Sequence, residues 1–321
     1  MPIRNLGRTL LIANPTAHSG RGADAAAYVT RILSNFPAAT TSFSSRLTTA
    51  TGDGTRLASQ AAGFDTVIAL GGDGIIHEVA NGLMSIEKDA RPTLAVVPVG
   101  SGNDFARTLG MAMNDPARSM AQLLAGTPRP LDLGHVSSDS GASCHYVQTL
   151  SFGLDAAIAL DTTDRRADGT RQSGAGLFAT SGVKLFSKVR GESSGWPSTV
   201  SIDGGEPFRL NTIIFAVQNG PTYGGGFRIC PDASPFDGRL DVCYNVGVPA
   251  LPRLLALFAL ARTGRHVRSS VVRVSTLERL TVDFGTATPP CQVDGERLVG
   301  SRFEVSVVPE ALTVIVPGKS H

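Results

Sequence analysis

Phe64-Asp-Thr-Val-Ile-Ala-Leu-Gly-Gly-Asp-Gly-Ile-Ile-His-Glu-Val-Ala-Asn-Gly82 passes from an apolar, β-leaning segment (66–70) through Gly71-Gly72-Asp73-Gly74 into a helix-like segment (75–83). Strand, glycine turn and helix together have the form of a phosphate site. Glycines let the backbone approach an anion, and a helix start offers free N–H groups and a positive dipole end. The run is neither a Walker A loop nor a dinucleotide fingerprint, because the Gly-Lys-Ser/Thr ending and the Gly-x-Gly-x-x-Gly spacing are both absent. An acid stands among the glycines instead. Asp73 facing a phosphate is repulsive unless a cation lies between them. The residue types therefore suggest a nucleoside triphosphate with a divalent metal; the plain alternative is an ordinary βα connection.

The same unit recurs on either side. Residues 8–13 read as a buried strand, Asn14-Pro-Thr-Ala-His-Ser-Gly-Arg-Gly22 as a loop, and 23–33 as an alanine-rich helix. A weak strand at 39–43 precedes Thr48-Thr-Ala-Thr-Gly-Asp-Gly54 and a helix at 55–62. The threonines there could bond a ribose or phosphate, or simply start the helix. A strand at 93–99 runs into Gly100-Ser-Gly-Asn-Asp104, where Asn103 and Asp104 suit helix capping, and helices follow from 105 and over 115–125. This alternation predicts an open, largely parallel α/β sheet. The polar loops then gather at the strands' carboxyl ends, where ligands bind in such sheets.

After Pro128-Arg-Pro130 the texture changes. Strands are predicted at 132–136, 145–152, 198–203, 212–218, 240–246, 273–275, 279–284 and 302–307, with helices at 167–189 and 249–262. This half reads as a mostly antiparallel β domain, and 311–317 could pair back onto the first domain. Three stretches carry chemistry: Asn219-Gly-Pro-Thr-Tyr-Gly-Gly-Gly226, Cys230-Pro-Asp-Ala-Ser-Pro-Phe-Asp-Gly-Arg-Leu-Asp241 and Gln292-Val-Asp-Gly-Glu296. Carboxylates and turn carbonyls in the second suit Mg²⁺ or Ca²⁺. In the third, an extended backbone would point Asp294 and Glu296 to one side, as a proton acceptor and its helper; the alternative is an Asp-Gly hairpin turn.

Composition sets the bounds. A chain of 321 residues with 42% hydrophobic and 17% charged residues supports about two globular domains. A net charge of +2 and 6% aromatic residues give no footing for nucleic-acid binding. Cys144, Cys230, Cys243 and Cys291 show no Cys-x-x-Cys spacing, which argues against structural zinc and for reduced thiols in the cytosol. No leader peptide is read at the start. The longest apolar run, 251–261, contains Pro252 and Arg253 and is too short to span a bilayer.

Together these stretches resemble the diacylglycerol kinase catalytic family of lipid kinases, bacterial and sphingolipid branches included. The resemblance rests on Asn14-Pro15, Gly71-Gly-Asp-Gly74 with Glu78-Val79 and Asn81-Gly82, Gly100-Ser-Gly-Asn-Asp-Phe-Ala-Arg107 and Ser151-Phe-Gly-Leu-Asp155. It continues through Asn219 with Gly224-Gly-Gly226, Pro231-Asp-Ala-Ser234 with Asp237-Gly-Arg-Leu-Asp241, and Val293-Asp-Gly-Glu296. It spans nearly the whole chain in the family's order. It implies an N-terminal Rossmann-like α/β nucleotide-binding domain over 1–128, rejoined by 308–321, and a C-terminal β-sandwich lipid-substrate domain over 129–307, as in NAD kinases and diacylglycerol kinases, with ATP in the cleft.

By the same resemblance Asn14, Pro15, Thr48, Gly71, Gly72, Asp73, Gly74, Ser101, Gly102 and Asn103 would bind the nucleotide. Asp237, with the carbonyls of Ser234 and Arg239, would hold Mg²⁺, and Asp104 would support that region. Glu296 would be the base, with Asp294 next; some relatives give the role to the aspartate at Asp73. Many bacterial members have threonine where this chain has Ile75, and Thr-Gly-Asn-Asp where it has Ser101-Gly-Asn-Asp, which leaves the lipid open. The implied protein works in the cytoplasm, peripheral at the inner membrane surface; the family includes homodimers. The rivals are a soluble-substrate kinase such as an NAD kinase, and a silent nucleotide- or lipid-binding module.

Overall fold

The computed structural model describes residues 3–167, 174–188 and 195–318. The chain divides into two compact units, Met1–Leu131 with Glu310–His321, and Asp132–Pro309.

The first unit alternates β1 (Arg8–Ala13), α1 (Arg21–Asn35), β2 (Ser42–Leu47), α2 (Asp53–Ser59), β3 (Thr66–Gly71), α3 (Asp73–Met84) and β4 (Thr93–Pro98), then closes with α4 (Asp104–Leu109) and α5 (Pro116–Ala125). The sheet order is β2-β1-β3-β4, every pair parallel. The end of the chain's final strand lies beside β4, also parallel, at Val314↔Leu94. Val67, Ile68, Ala69 and Leu70 are wholly buried, as expected of a parallel strand covered on both faces, which reads as one apolar run. Ile76, Val79 and Leu83 give α3 a buried face at helical spacing.

Register fixes what matters for a ligand. Ala13 stands opposite Leu47 and Leu70, and Gly71 opposite Pro98. All four strands therefore end level, and the loops that begin at Asn14, Thr48, Gly72 and Val99 leave from one edge of the sheet. The weak strand expected at 39–43 sits later. Ala39 is buried in a turn whose carbonyl accepts the Leu6 amide, so pairing with β1 starts at Ser42.

The second unit holds the later part of β5 (Thr127–Ser138), then β6 (Ser143–Tyr146), β7 (Thr149–Gly153), α6 (Leu154–Ala167), α7 (Gly174–Phe186), β8 (Trp196–Ile202), β9 (Phe208–Thr212), β10 (Ile214–Gln218) and β11 (Leu240–Asn245). It continues with α8 (Leu251–Ala261), β12 (Val272–Leu277), β13 (Arg279–Asp283), β14 (Cys291–Val293), β15 (Glu296–Arg297) and the start of β16 (Arg302–Val316). One sheet runs β12-β11-β10-β7-β14-β15, antiparallel throughout. The other runs β16-β13-β8-β9, also antiparallel. Phe152, Phe215, Val217, Val242, Val282 and Phe303 meet in one core, with the Phe152 and Phe303 ring centroids 4.8 Å apart. Alternate residues of the first sheet, Ala216 and Cys243 among them, face the other way into a second core with Ile158 of α6, Phe178 of α7 and Leu254 of α8. The period of two sends alternate side chains to the two cores, so both faces of β10 are buried.

Three segments differ from expectation. The strand at 145–152 is two strands, because the Val147 and Gln148 amides turn away to the Asp294 carboxylate. The strand at 212–218 breaks at Ile213, whose amide goes with that of Ile214 to Asn245 Oδ1. The helix expected at 167–189 is met by α7, with residues 168–173 and 189 outside the described residues; α6, over Leu154–Ala167, lies ahead of it where no helix was expected.

Candidate active site

In the first unit, β3 ends on Gly71 at φ 148°, and α3 starts directly behind the extended Gly72. A side chain at Gly100 would place its Cβ 2.5 Å from the Gly72 Cα, so the second and third glycine loops touch backbone to backbone. Asp73 joins them as well, its Oδ1 accepting the Phe105 amide at 3.2 Å. Asn103 was expected to cap α4. It makes no such bond; at φ 54° it donates instead to the Gly100 carbonyl, 2.9 Å away. Asp104 is buried in the first turn of α4 beside Gly102.

The other two loops are held by their own side chains. Asn14 Oδ1 accepts the Thr16 amide and hydroxyl at 3.0 and 2.8 Å, the local turn that asparagine favours. Pro15 lends its carbonyl to the Ala23 amide at the start of α1. Thr48 is buried, with its hydroxyl 3.4 Å from the Ala13 carbonyl. Ile75 is buried too, and its methyls fill the space beneath Gly54 and Gly71. Two residues that sequence reasoning gave no site role organise this edge. Glu78 accepts the Gly52 and Gly54 amides at 2.9 and 2.8 Å, clamping the Thr48 loop to α3. Asn114 Oδ1 takes the Gly100 amide at 3.0 Å and meets His18 Nδ1 at 3.0 Å. Each is a lone polar residue in a helix or turn, with no local signal of its partner.

In the second unit the stretch 292–296 is not extended. Asp294 and Gly295 take φ 48° and 95°, forming the Asp-Gly turn of the β14–β15 hairpin, since both positions of such a turn need φ > 0. The Asp294 carboxylate accepts the Val147, Gln148 and Thr149 amides at 2.8, 3.0 and 2.9 Å. Glu296 follows on exposed β15, so the two carboxylates do not share one side of an extended strand. Below the turn runs a buried chain of donors: the Gly295 amide to Gln292 Oε1 (2.7 Å), and Gln292 Nε2 to Ser151 Oγ (2.8 Å). The Tyr223 hydroxyl donates to the buried Asp155. Burial pushes the Asp155 carboxyl up to about 7.

In the acidic loop, Asp237 Oδ1 accepts the Arg239 amide at 3.1 Å and the Gly238 amide donates to Asp132 Oδ2 at 2.7 Å. Asn219 ties the loop's surroundings together by donating to the carbonyls of Asp132 and Val147. Burial, then the charges of Asp237 and Asp232, push Asp241 up to about 6. That mutual repulsion is the condition a bound cation relieves. No cluster of three or more His, Cys, Asp or Glu poised for a metal occurs among the described residues, so a cation here would lean on carbonyls and water, as Mg²⁺ does. Ser234 is half-buried in the same loop. Under α8 lies a narrow, largely apolar cavity of about 50 Å³, lined by Phe186, Ile214, Leu254 and Phe258, with Tyr223, Tyr244, Asn245 and His266 as its polar members.

Two family models cover nearly all of this architecture. The diacylglycerol kinase catalytic domain matches residues 8–136. The YegS C-terminal NAD kinase β-sandwich-like domain matches residues 149–316. A diacylglycerol kinase of Bacillus subtilis (strain 168) is 30% identical over 292 residues, 90% of this chain and 89% of that protein. The chain belongs to the diacylglycerol kinase family. It is a phosphotransferase. A diacylglycerol kinase structure from Bacillus anthracis str. Sterne matches the fold with TM-score 0.70 at 20% identity, covering 96% of each chain. Yeast NADH kinase, complexed with NADH, matches at TM-score 0.54 and 13% identity, over 99% of this chain and 85% of its own. The level strand ends of the first unit carry its loops at Asn14, Thr48, Gly72 and Val99; the second unit, taken by itself, carries the acidic loop and the β14–β15 hairpin.

Proposed function

We propose that this phosphotransferase moves the γ-phosphate of ATP to the hydroxyl of a membrane lipid, with Mg²⁺, at the cytoplasmic face of the inner membrane. The observation that carries the lipid reading is the match of residues 8–136 to the diacylglycerol kinase catalytic domain; the narrow cavity under α8, with its mostly apolar lining, is where a lipid chain would enter if that helix shifts. The names of the family and of the Bacillus subtilis relative support the same acceptor class. The fold alone would also suit an NAD kinase, but that likeness is the weaker one.

The loops at Asn14, Thr48, Gly71–Gly74 and Ser101–Asn103 would line the nucleotide, their amides facing phosphate oxygens in a site where developing charge is met by fixed donors. Asp237, with the Ser234 and Arg239 carbonyls, would hold Mg²⁺, which supplies positive charge beside the phosphates. Asp104 and Asp73 would orient that side. Glu296 is the base we favour: it is exposed and on the hairpin, whereas both oxygens of Asp294 already accept backbone amides. Asp294 then acts as a positioning residue for the turn. The test is label transfer from γ-labelled Mg-ATP to detergent-dispersed diacylglycerol, monoacylglycerol, ceramide, a sphingoid base, phosphatidylglycerol and undecaprenol. The Leu254→Trp variant, which fills the pocket, should lose transfer to long-chain lipids while still binding ATP. Unchanged transfer in that variant would remove the pocket from the proposal.

A further inference from the structure

α8 is a surface helix with the wrong outer face for water. Only Leu254 and Ala261 are buried. Pro252, Arg253, Ala256, Ala259 and Leu260 are exposed, a spacing that places them on one face. Apart from Arg253 that face is apolar, where a surface helix of a soluble domain is ordinarily polar. Leu260 is 39% exposed, and Val246, just beyond the neighbouring β11, is 43% exposed.

Cations surround it. Between Asp241 and Glu278 the chain has no acid at all but five arginines, at 253, 262, 265, 268 and 273. In the rest of the chain 24 Lys and Arg are outnumbered by 27 Asp and Glu. Two of the five are committed elsewhere: Arg262 donates to the Gly225 carbonyl and lies over the Phe227 ring, and Arg273 lines a pocket with Asp232 and Asp241. Arg253, Arg265 and Arg268 are exposed and form no ion pair among the described residues. Arg253 reaches the hydroxyls of Ser269 and Ser270 at 3.3 Å, which gathers its charge next to that of Arg268.

We infer that the outer face of α8 and the turn Arg265–Arg268 form a docking surface for an anionic lipid bilayer. The apolar face would enter the headgroup region while Arg253, Arg265 and Arg268 meet lipid phosphates. No helix among the described residues is long and apolar enough to cross a membrane, so the contact lies along the surface. A second copy of the chain fits this face poorly, because a two-fold contact would set arginine against arginine. The inference rests on this segment's own burial and charge and stands whether or not a lipid is the phosphoryl acceptor.

Sedimentation with phosphatidylcholine vesicles, with and without about a third phosphatidylglycerol, tests it. Wild type should bind the anionic vesicles, weakly the neutral ones, and release with salt. R265E/R268E should bind the anionic vesicles roughly 30-fold less or worse, at about fivefold for each arginine lost from a charged surface. Leu260→Ser should weaken binding severalfold, and Arg209→Glu, an exposed site on β9, should not. Transfer to a detergent-dispersed acceptor should keep its kcat in all of them. Equal binding to both vesicle types, or full binding by R265E/R268E, overturns the inference. So does a wild-type dimer that Leu260→Ser dissociates, which would give the face to a second copy.

Discussion

The Asp294 carboxylate takes three backbone amides, from Val147 on Oδ2 and from Gln148 and Thr149 on Oδ1. Asp294→Asn keeps the shape but turns one oxygen into an NH₂ donor. If the amide oxygen keeps Gln148 and Thr149, the Val147 amide faces another donor. One orphaned amide costs about 1–3 kcal/mol, and two bonds to a carboxylate becoming two to a neutral amide lose about 1 kcal/mol each. Solvent at the half-buried turn reduces the sum, giving about 3 kcal/mol. For a unit of this size that lowers the melting temperature by about 6–12 °C. Urea and thermal unfolding of the purified variant measure it, with Glu296→Gln beside it. Glu296→Gln should unfold like wild type yet lose transfer by about 10²–10⁴-fold, the usual worth of a positioned base. Wild-type stability in Asp294→Asn would refute the view of Asp294 as the pin of this turn.

Asp155 predicts a pH signature. Its folded carboxyl sits at about 7 against an ordinary 3.8, so between those values the folded state holds a proton that the unfolded chain releases. Its favourable contribution is therefore complete at and below about pH 4 and is lost as pH rises through 7, and Asp155→Asn should flatten the measured unfolding free energy over that window. Gly100→Ala should spread the Gly72 and Gly100 loops, whose close approach leaves no room for a Cβ; a loss of about 1–3 kcal/mol in urea unfolding and weaker ATP binding by calorimetry are expected. Asp237→Asn should raise the Mg²⁺ concentration needed for half-maximal transfer by about tenfold or more, on the assumption that one carboxylate anchors the ion. An unchanged Mg²⁺ titration would detach Asp237 from the metal.

What could be read from the chain beforehand follows from how local its cause is. β3 and β4 are uninterrupted apolar runs bounded by glycine turns, so the parallel sheet and the loops at Asp73 and Asn103 stand out in sequence. β10 is likewise an apolar run, Ile214 to Val217, so it is legible as a strand, but that its two faces feed two different cores is not. The strand breaks at Val147 and Ile213 are not legible either, because each is enforced by a distant side chain, Asp294 or Asn245. The Glu78 clamp on Gly52 and Gly54 is hidden for the same reason. At Asp294-Gly295 the turn signal was present in the dipeptide itself, and an extended reading of the flanking residues competed with it. α8 shows the converse: its apolar sequence suits a core helix, and only the packed unit reveals that Pro252, Arg253, Ala256, Ala259 and Leu260 face outward.

The central claim is the acceptor. Incubating the protein with γ-labelled Mg-ATP, mixed-micelle diacylglycerol and NAD in one reaction, then separating phosphatidic acid from NADP, asks it directly. The account predicts label in the lipid fraction, absent with Glu296→Gln, and none in NADP. Label in NADP with an unlabelled lipid fraction would contradict it.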